Sequence, residues 1–138
     1  MIRLFRAQVE EILSHAIETN PAECCGLIGG TSEGLATSIY RLRNVARERQ
    51  TTYEAAPEEL FGAQRIMRQR NEQLIAIYHS HPRSAEPQPS ETDVRQAFYP
   101  SATYLIVGLA ATEPTMRAFR ISERDTSWQP VEYAIADE

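Results

Sequence analysis

The spacing of apolar residues predicts an amphipathic helix over residues 7–19. Apolar side chains recur there at intervals of three and four positions, the period that lines one face of a helix. The positions are Val9, Ile12, Leu13, Ala16 and Ile17. Asn20 and Pro21 follow, and the helix is expected to end at residue 19 because a proline breaks a helix interior.

Two further helices are predicted. The second runs from Pro57 to about Arg70, because proline is well tolerated as the first helical residue. Its expected core contacts are Leu60, Phe61, Ile66 and Met67. A short third helix is expected to begin after Ser90, which can cap its first turn, and to run to about Phe98.

Apolar runs bounded by glycine, proline or polar clusters predict the strands. They cover residues 24–30, 36–43, 53–55, 74–78, 102–109, 116–121 and 131–135. Helices and strands in this order predict a mixed α/β fold. At 138 residues the chain has the length of one domain, which we expect to cover residues 1–138.

Charge and composition argue against two classes of function. The net charge is −5 and the 14 basic residues, all arginines, are spread thinly, which argues against nucleic-acid binding. No apolar run approaches the roughly 20 residues that cross a bilayer, and the first residues lack a signal-peptide pattern. We therefore expect a cytoplasmic protein without a membrane segment, either a monomer or a homodimer.

Adjacent Cys24 and Cys25 are expected to be reduced and buried, because a disulfide between neighbours is strained.

A candidate metal site follows the predicted strand at 74–78. Side chains alternate along a strand, so His79 and His81 at its end point the same way. Asp93 follows the proline-rich loop at 82–89 and is expected to turn back toward them from the start of the third helix. Two imidazoles and one carboxylate suit zinc and leave one position open, as in catalytic sites, although iron, nickel or manganese also accept such donors.

Ser90 and Asp93 also fit a structural interpretation. Ser-x-x-Asp at a helix start is typical of a capping arrangement, in which the serine accepts a hydrogen bond from a first-turn amide. A cap would at the same time direct Asp93 toward the histidines. A metal-activated water further requires a base, and among several candidate glutamates Glu23 differs because it directly precedes a buried strand.

The chain resembles the JAMM/MPN+ metalloprotease family over roughly residues 4–121. The resemblance is carried by Glu23, by the run 79–82 (His-Ser-His-Pro) and by the run 90–93 (Ser-Glu-Thr-Asp). The glycine-ended run at 24–30 is similar to the family's first strand. Asn44, Tyr53 and Pro57 also lie where short bacterial members often have such residues. The loop at 82–89 is one residue longer than is usual in the family.

This resemblance implies a fold and a set of residue roles. The fold would be a single JAMM domain, a central curved β-sheet flanked by helices as in cytidine deaminases. His79, His81 and Asp93 would bind Zn²⁺. Glu23 would deprotonate the attacking water and then protonate the leaving amine, and Ser90 would donate a hydrogen bond to the developing oxyanion.

It also implies a substrate class. Family members hydrolyse peptide or isopeptide bonds after the C-terminal Gly-Gly of ubiquitin-like proteins, and compact bacterial members act on ubiquitin-fold sulfur carriers, from which they release cysteine or a C-terminal extension. The expected partner is therefore a sulfur-carrier protein that ends in Gly-Gly. Two alternatives stay open: a non-catalytic module that binds a ubiquitin-fold partner, and a zinc hydrolase for a small amide.

Overall fold

The structure, a computed structural model, describes residues 1–136. In chain order its elements are β1 (Ile2–Phe5), α1 (Arg6–Thr19), β2 (Cys25–Gly30), β3 (Ala36–Leu42), α2 (Pro57–Gln69), β4 (Gln73–His81), α3 (Glu91–Arg95), β5 (Thr103–Gly108), β6 (Thr115–Ser122), β7 (Ser127–Val131) and β8 (Tyr133–Ala136). Within these residues, none of the helices combines the length and the apolar character that a membrane span requires.

Six strands form a mixed sheet in the order β3-β2-β4-β5-β6-β7. β4 and β5 are parallel, and the other neighbours in this sheet are antiparallel. β1 and β8, from the two ends of the described chain, form a separate parallel pair. The predicted α/β fold with a central sheet and flanking helices is confirmed. β4, which carries the two histidines, lies in the interior of the sheet between β2 and β5.

The two faces of the sheet have separate hydrophobic cores. α1 covers one face, where its Ile12 and Ala16 lie in the same cluster as Tyr78 of β4. α2 and α3 cover the other face, where Met67 lies in the same cluster as Ile77 of β4. From Ala76 onward, alternation along β4 therefore sends successive side chains into different cores, and the side chains of the two histidines lie on the α2 and α3 face.

Some core contacts predicted for the helices are wrong. Ile17 of α1 is 55% exposed and Phe61 of α2 is 61% exposed. On α2 the residues that face the sheet are Ala63 and Met67, both buried. They lie four residues apart on one face of the helix, and Phe61 falls outside that face because each residue advances by about 100°.

The predicted strands differ from those of the structure only in short segments. β1 was not predicted, because an alternation of only four residues at the chain start is a weak pattern. The single strand predicted at 131–135 is divided between β7, which pairs with β6, and β8, which pairs with β1. At 53–55 only an isolated bridge from Asn44 to Ala55 is present. α3 ends at Arg95, before the predicted Phe98.

A histidine–tyrosine pair supports β4 from the α1 face. His15 Nδ1 lies 2.7 Å from the hydroxyl oxygen of Tyr78, and both residues are buried. The Tyr78 ring lies over Gly26, where a Cβ atom would be 2.2 Å from the ring. Burial, and then the charge of Arg41, lower the pKa of His15 to about 4. His15 is therefore neutral in the folded protein near pH 7.

Stability should fall on acidification because of His15. Its folded-state pKa of about 4 is below the 6.5 of an unperturbed histidine, so the unfolded chain binds more protons between these values. The contribution of neutral His15 to the free energy of unfolding is complete above pH 6.5 and is lost as the pH falls toward 4. Urea unfolding of metal-free protein should show that His15→Gln loses roughly 2 kcal/mol less than the wild type across this range. Parallel pH profiles for the two proteins would contradict this assignment.

Candidate metal centre

The end of β4 and the start of α3 bring two histidines and an aspartate together. His79 and His81 are two residues apart on one face of β4, and their Nε2 atoms are 3.2 Å apart. Asp93 Oδ2 is 3.1 Å from His79 Nε2 and 3.0 Å from His81 Nε2. The three atoms thus form a nearly equilateral triangle. The structure places the three residues together as the spacing in the sequence led us to expect.

The spacing of these atoms fits a metal ion. Ligand atoms of a tetrahedral zinc ion, with bonds of about 2.0–2.1 Å, lie about 3.3 Å apart. Two imidazole Nε2 atoms only 3.2 Å apart cannot both carry a proton that points at the other, whereas their lone pairs can share one cation. Glu23, His79 and His81 form a second set that could hold a metal, with ligand atoms within 4.8 Å of one another. Either carboxylate could therefore complete a metal site.

A capping box holds Asp93 in place. Ser90 Oγ accepts a hydrogen bond from the Asp93 amide at 3.0 Å, and Asp93 Oδ2 accepts one from the Ser90 amide at 2.9 Å. The cap uses Ser90 as an acceptor, so the hydroxyl hydrogen of Ser90 remains available for donation. The predicted cap and the predicted approach of Asp93 to the histidines therefore occur together.

The loop at 82–89 is fixed to the sheet. Thr115 Oγ1 donates to the carbonyl oxygen of Ala85 at 2.8 Å, and Arg117 Nη1 donates to that of Pro87 at 3.1 Å. Pro87 is fully buried. Gly108 of β5 leaves room for this loop, since a Cβ there would lie 2.6 Å from the carbonyl oxygen of Ser84. The loop's additional residue therefore does not displace Asp93 from the histidines.

Glu23 has a fixed backbone and a carboxylate with an unpaired oxygen. Its amide donates to the carbonyl of Arg49 at 2.7 Å, and its carbonyl accepts from Asn44 Nδ2 at 3.0 Å. The adjacent Cys24 amide donates to Ser80 Oγ at 2.8 Å. Glu23 is 3% exposed, and within residues 1–136 its Oε1 has no hydrogen-bond partner. The position of Glu23 is therefore set through its backbone, and the carboxylate can accept a proton.

The two buried carboxylates have opposite pKa shifts. Burial, and then the charge of Asp93, raise the pKa of Glu23 to about 8. Burial alone would also raise the pKa of Asp93. The charge of His79 and hydrogen bonds with His79, His81 and the Ser90 amide outweigh burial and hold that pKa well below its usual range. Asp93 is thus the carboxylate that the site keeps ionised.

The neighbouring cysteines do not take part in this chemistry. Cys24 and Cys25 are free thiols, each 1% exposed. Burial is the main cause that raises the pKa of Cys24 to about 11 and that of Cys25 to about 12. Both thiols are neutral near pH 7, in agreement with the interpretation that they are buried core residues.

Tyr53 orients the ring of His79. A metal-bound histidine usually donates its second ring N–H to a partner that fixes the ring. Within residues 1–136, His79 Nδ1 has no such partner. The Tyr53 ring instead stacks on the His79 ring, with centroids 4.6 Å apart and planes at 28°. Neither this contact nor any role for Asn44 was predicted, because the strand predicted at 53–55 is wrong and the sequence pattern around Asn44 has no periodicity.

A mixed sheet with two histidines and a carboxylate converging at the end of an interior strand is typical of a metal-dependent hydrolase. The chain belongs to the family described as prokaryotic homologs of the JAB domain, whose model matches residues 6–122. This confirms the family to which the motifs pointed.

Named relatives include a desampylase and a peptidase. The chain is 38% identical over 102 residues to the desampylase of Haloferax volcanii, covering 70% of this chain and 73% of that protein. It is 29% identical over 126 residues to the CysO-cysteine peptidase of Mycobacterium tuberculosis, covering 89% of this chain and 84% of the relative. The expectation of a hydrolytic enzyme of the peptidase class is confirmed.

Solved structures share the fold. The solution structure of a Desulfitobacterium hafniense protein has a TM-score of 0.87 and 34% identity, and the match covers 100% of this chain and 94% of that one. A crystal structure of a JAB1/MPN domain protein from Archaeoglobus fulgidus has a TM-score of 0.66 and 18% identity, with 98% and 97% covered. The second likeness concerns the fold alone.

Removal of the Tyr53 ring should weaken metal binding. In Tyr53→Ala the His79 ring loses the contact that orients it, so the dissociation constant for a metal should rise about tenfold, as for other lost supports of metal ligands. Tyr53→Phe keeps the stacked ring and should bind like the wild type. Competition with a chromogenic chelator, using zinc, measures both. Tyr99→Ala is the matched control, because Tyr99 is 37% exposed and belongs to the same aromatic surroundings. Equal affinities for Tyr53→Ala and the wild type would refute the role of the stack.

Proposed function

We propose that the protein is a zinc-dependent peptidase that cleaves after the C-terminal Gly-Gly of a ubiquitin-like or sulfur-carrier protein. The observation that carries this proposal is the convergence of the His79, His81 and Asp93 ligand atoms within 3.2 Å, next to the unpaired carboxylate oxygen of Glu23. The substrate class rests on the resemblance to JAMM proteases and on relatives named desampylase and CysO-cysteine peptidase. Location in the cytoplasm and a monomeric or homodimeric state stay predictions.

In this proposal His79, His81 and Asp93 hold the zinc ion and Glu23 does not. Asp93 Oδ2 lies 3.1 and 3.0 Å from the two histidine Nε2 atoms, whereas the atoms of the set that contains Glu23 spread over as much as 4.8 Å. Glu23 is buried beside the histidines, and its unpaired Oε1 leaves the carboxylate available for proton transfer. This difference in position and in hydrogen bonding between the two carboxylates supports a division into a ligand and an acid–base group.

Glu23 and Ser90 would carry out the proton transfer and the stabilisation of charge. When bound, zinc supplies a Lewis acid that makes water nucleophilic near neutral pH. Glu23 takes the proton from the attacking water and returns it to the leaving nitrogen, so that the peptide bond is replaced by a carboxylate and an amine. Ser90 donates its free hydroxyl hydrogen to the oxyanion that forms on the scissile carbonyl.

The surroundings of the site support an extended peptide substrate. A cavity of about 450 Å³ lies beside the metal centre, and Tyr53, which stacks on His79, forms part of its wall. Leu60 and Tyr99 contribute to the same mainly apolar lining. Such a cavity suits an apolar side chain upstream of the Gly-Gly, with the tail bound in an extended form.

Metal content and cleavage, measured together, test the proposal. Wild-type protein should contain about one zinc ion per chain. It should also cleave a sulfur-carrier protein that has a few residues beyond Gly-Gly. His81→Ala should lose both properties. Glu23→Gln should keep the metal and lose about 10²–10⁴-fold in kcat, because only the proton transfer is removed.

Glu86→Gln is the matched control, since Glu86 is an exposed glutamate in the loop at 82–89. If the protein contains zinc but cleaves no carrier protein, the result would favour a zinc hydrolase for a small amide. Purified protein without zinc, prepared in the absence of chelators, would favour the non-catalytic binding module.

The role of Ser90 can be separated from its role as a helix cap. Ser90→Thr keeps both the capping oxygen and the hydroxyl hydrogen, and its activity should be close to that of the wild type. Ser90→Gly loses only a few tenths of a kcal/mol of capping. It also loses the hydrogen-bond donor, so kcat should fall about 10²–10³-fold. Elemental analysis should show unchanged zinc. If Ser90→Gly loses zinc and activity in parallel, Ser90 acts through Asp93 and not on the oxyanion.

A further inference from the structure

The side chain of Asn44 connects the loop at 44–55 to the backbone of Glu23. Asn44 is buried, and its Nδ2 donates to the Glu23 carbonyl at 3.0 Å. The same nitrogen donates to the Thr52 carbonyl at 3.1 Å and is 3.4 Å from the Arg49 carbonyl oxygen. Since the Glu23 amide also donates to the Arg49 carbonyl, the Asn44 amide group lies between Glu23 and the far end of the loop.

The oxygen of the same side chain shapes the loop itself. Asn44 Oδ1 accepts hydrogen bonds from the Ala46 amide at 2.9 Å and from the Glu54 amide at 3.0 Å. Residues 47–51 are exposed, so this part of the loop has little apolar burial to hold it in place. The oxygen of Asn44 therefore serves only the start and end of the loop, whereas its nitrogen joins the loop to Glu23, and one substitution can remove the nitrogen contacts alone.

We infer that Asn44 is a positioning residue that acts on catalysis through Glu23. The inference rests on the proposed function, in which Glu23 transfers the proton. The unpaired Glu23 carboxylate oxygen gives the side chain no anchor of its own, so the backbone contacts of Glu23 decide where the carboxylate lies. A small displacement of a catalytic group lowers the rate strongly, because reacting atoms must stay within about 3–3.5 Å.

Asn44→Asp is the discriminating variant. An aspartate keeps an oxygen for the Ala46 and Glu54 amides and replaces the donor to the Glu23 and Thr52 carbonyls with an oxygen that repels them. Its kcat should fall about 10- to 100-fold with little change in KM, because Glu23 is displaced while substrate binding is kept. Zinc content should be unchanged. Asn71→Asp, at the turn between α2 and β4, is the matched control and should leave kcat unchanged.

A double-mutant cycle shows whether Asn44 acts through Glu23. In the Glu23→Gln background, Asn44→Asp should lower the residual kcat by less than about twofold, since the group it positions has already been removed. A full additional loss in that background, or an unchanged kcat in the single variant, would overturn the inference.

Amide hydrogen exchange, followed by NMR on metal-free protein, supplies a readout that does not need activity. In Asn44→Asp the Glu23 amide should exchange at least about tenfold faster, while the Ala46 and Glu54 amides keep their protection. Unchanged protection of the Glu23 amide would overturn the inference. If the wild-type protein cleaves no carrier, the proposed function fails, and the exchange rates still decide whether Asn44 fixes Glu23.

Discussion

The antiparallel pairing of β2 with β4 is the constraint on which the site depends. In this register Cys25 lies opposite His79, and the same register continued by two residues places Glu23 opposite His81. Residues opposite each other in a sheet lie on the same face, so Glu23 faces the metal ligands. A slip of one residue would send the Glu23 side chain to the α1 face. The proposed acid–base group and the proposed metal ligands therefore meet because of strand pairing.

The other face of the sheet secures this register. Tyr78 lies opposite Gly26, and its ring occupies the space that any side chain at Gly26 would need. A shifted register would bring the ring against Cys25 or Leu27, both of which carry side chains. The contact of Tyr78 with His15 of α1 holds the ring in this position. Close packing on the α1 face thus determines an alignment that the metal centre uses on the opposite face.

Local patterns made much of the fold predictable, together with the convergence of two histidines and an aspartate. The sequence predicts that three residues lie close together, because strand alternation and a helix cap act over a few residues. These residues are His79, His81 and Asp93. Glu23 required the family resemblance, since its place depends on pairing between segments far apart in the chain. The parallel pair of β1 and β8 was missed for the same reason. The contacts of Asn44 lie in a loop without periodicity, so only the folded structure reveals them.

The two carboxylates of the site show how function opposes stability. Asp93 is buried with the histidines and the Ser90 amide around it, so its charge is supported. Glu23 is buried with an unpaired oxygen, an arrangement that costs about 1–3 kcal/mol. A hydrogen bond to Glu23 would remove this cost, but it would also occupy the oxygen that takes up a proton in the proposed mechanism. The fold instead places the restraints on the Glu23 backbone, just before β2 and beside the two histidines of β4.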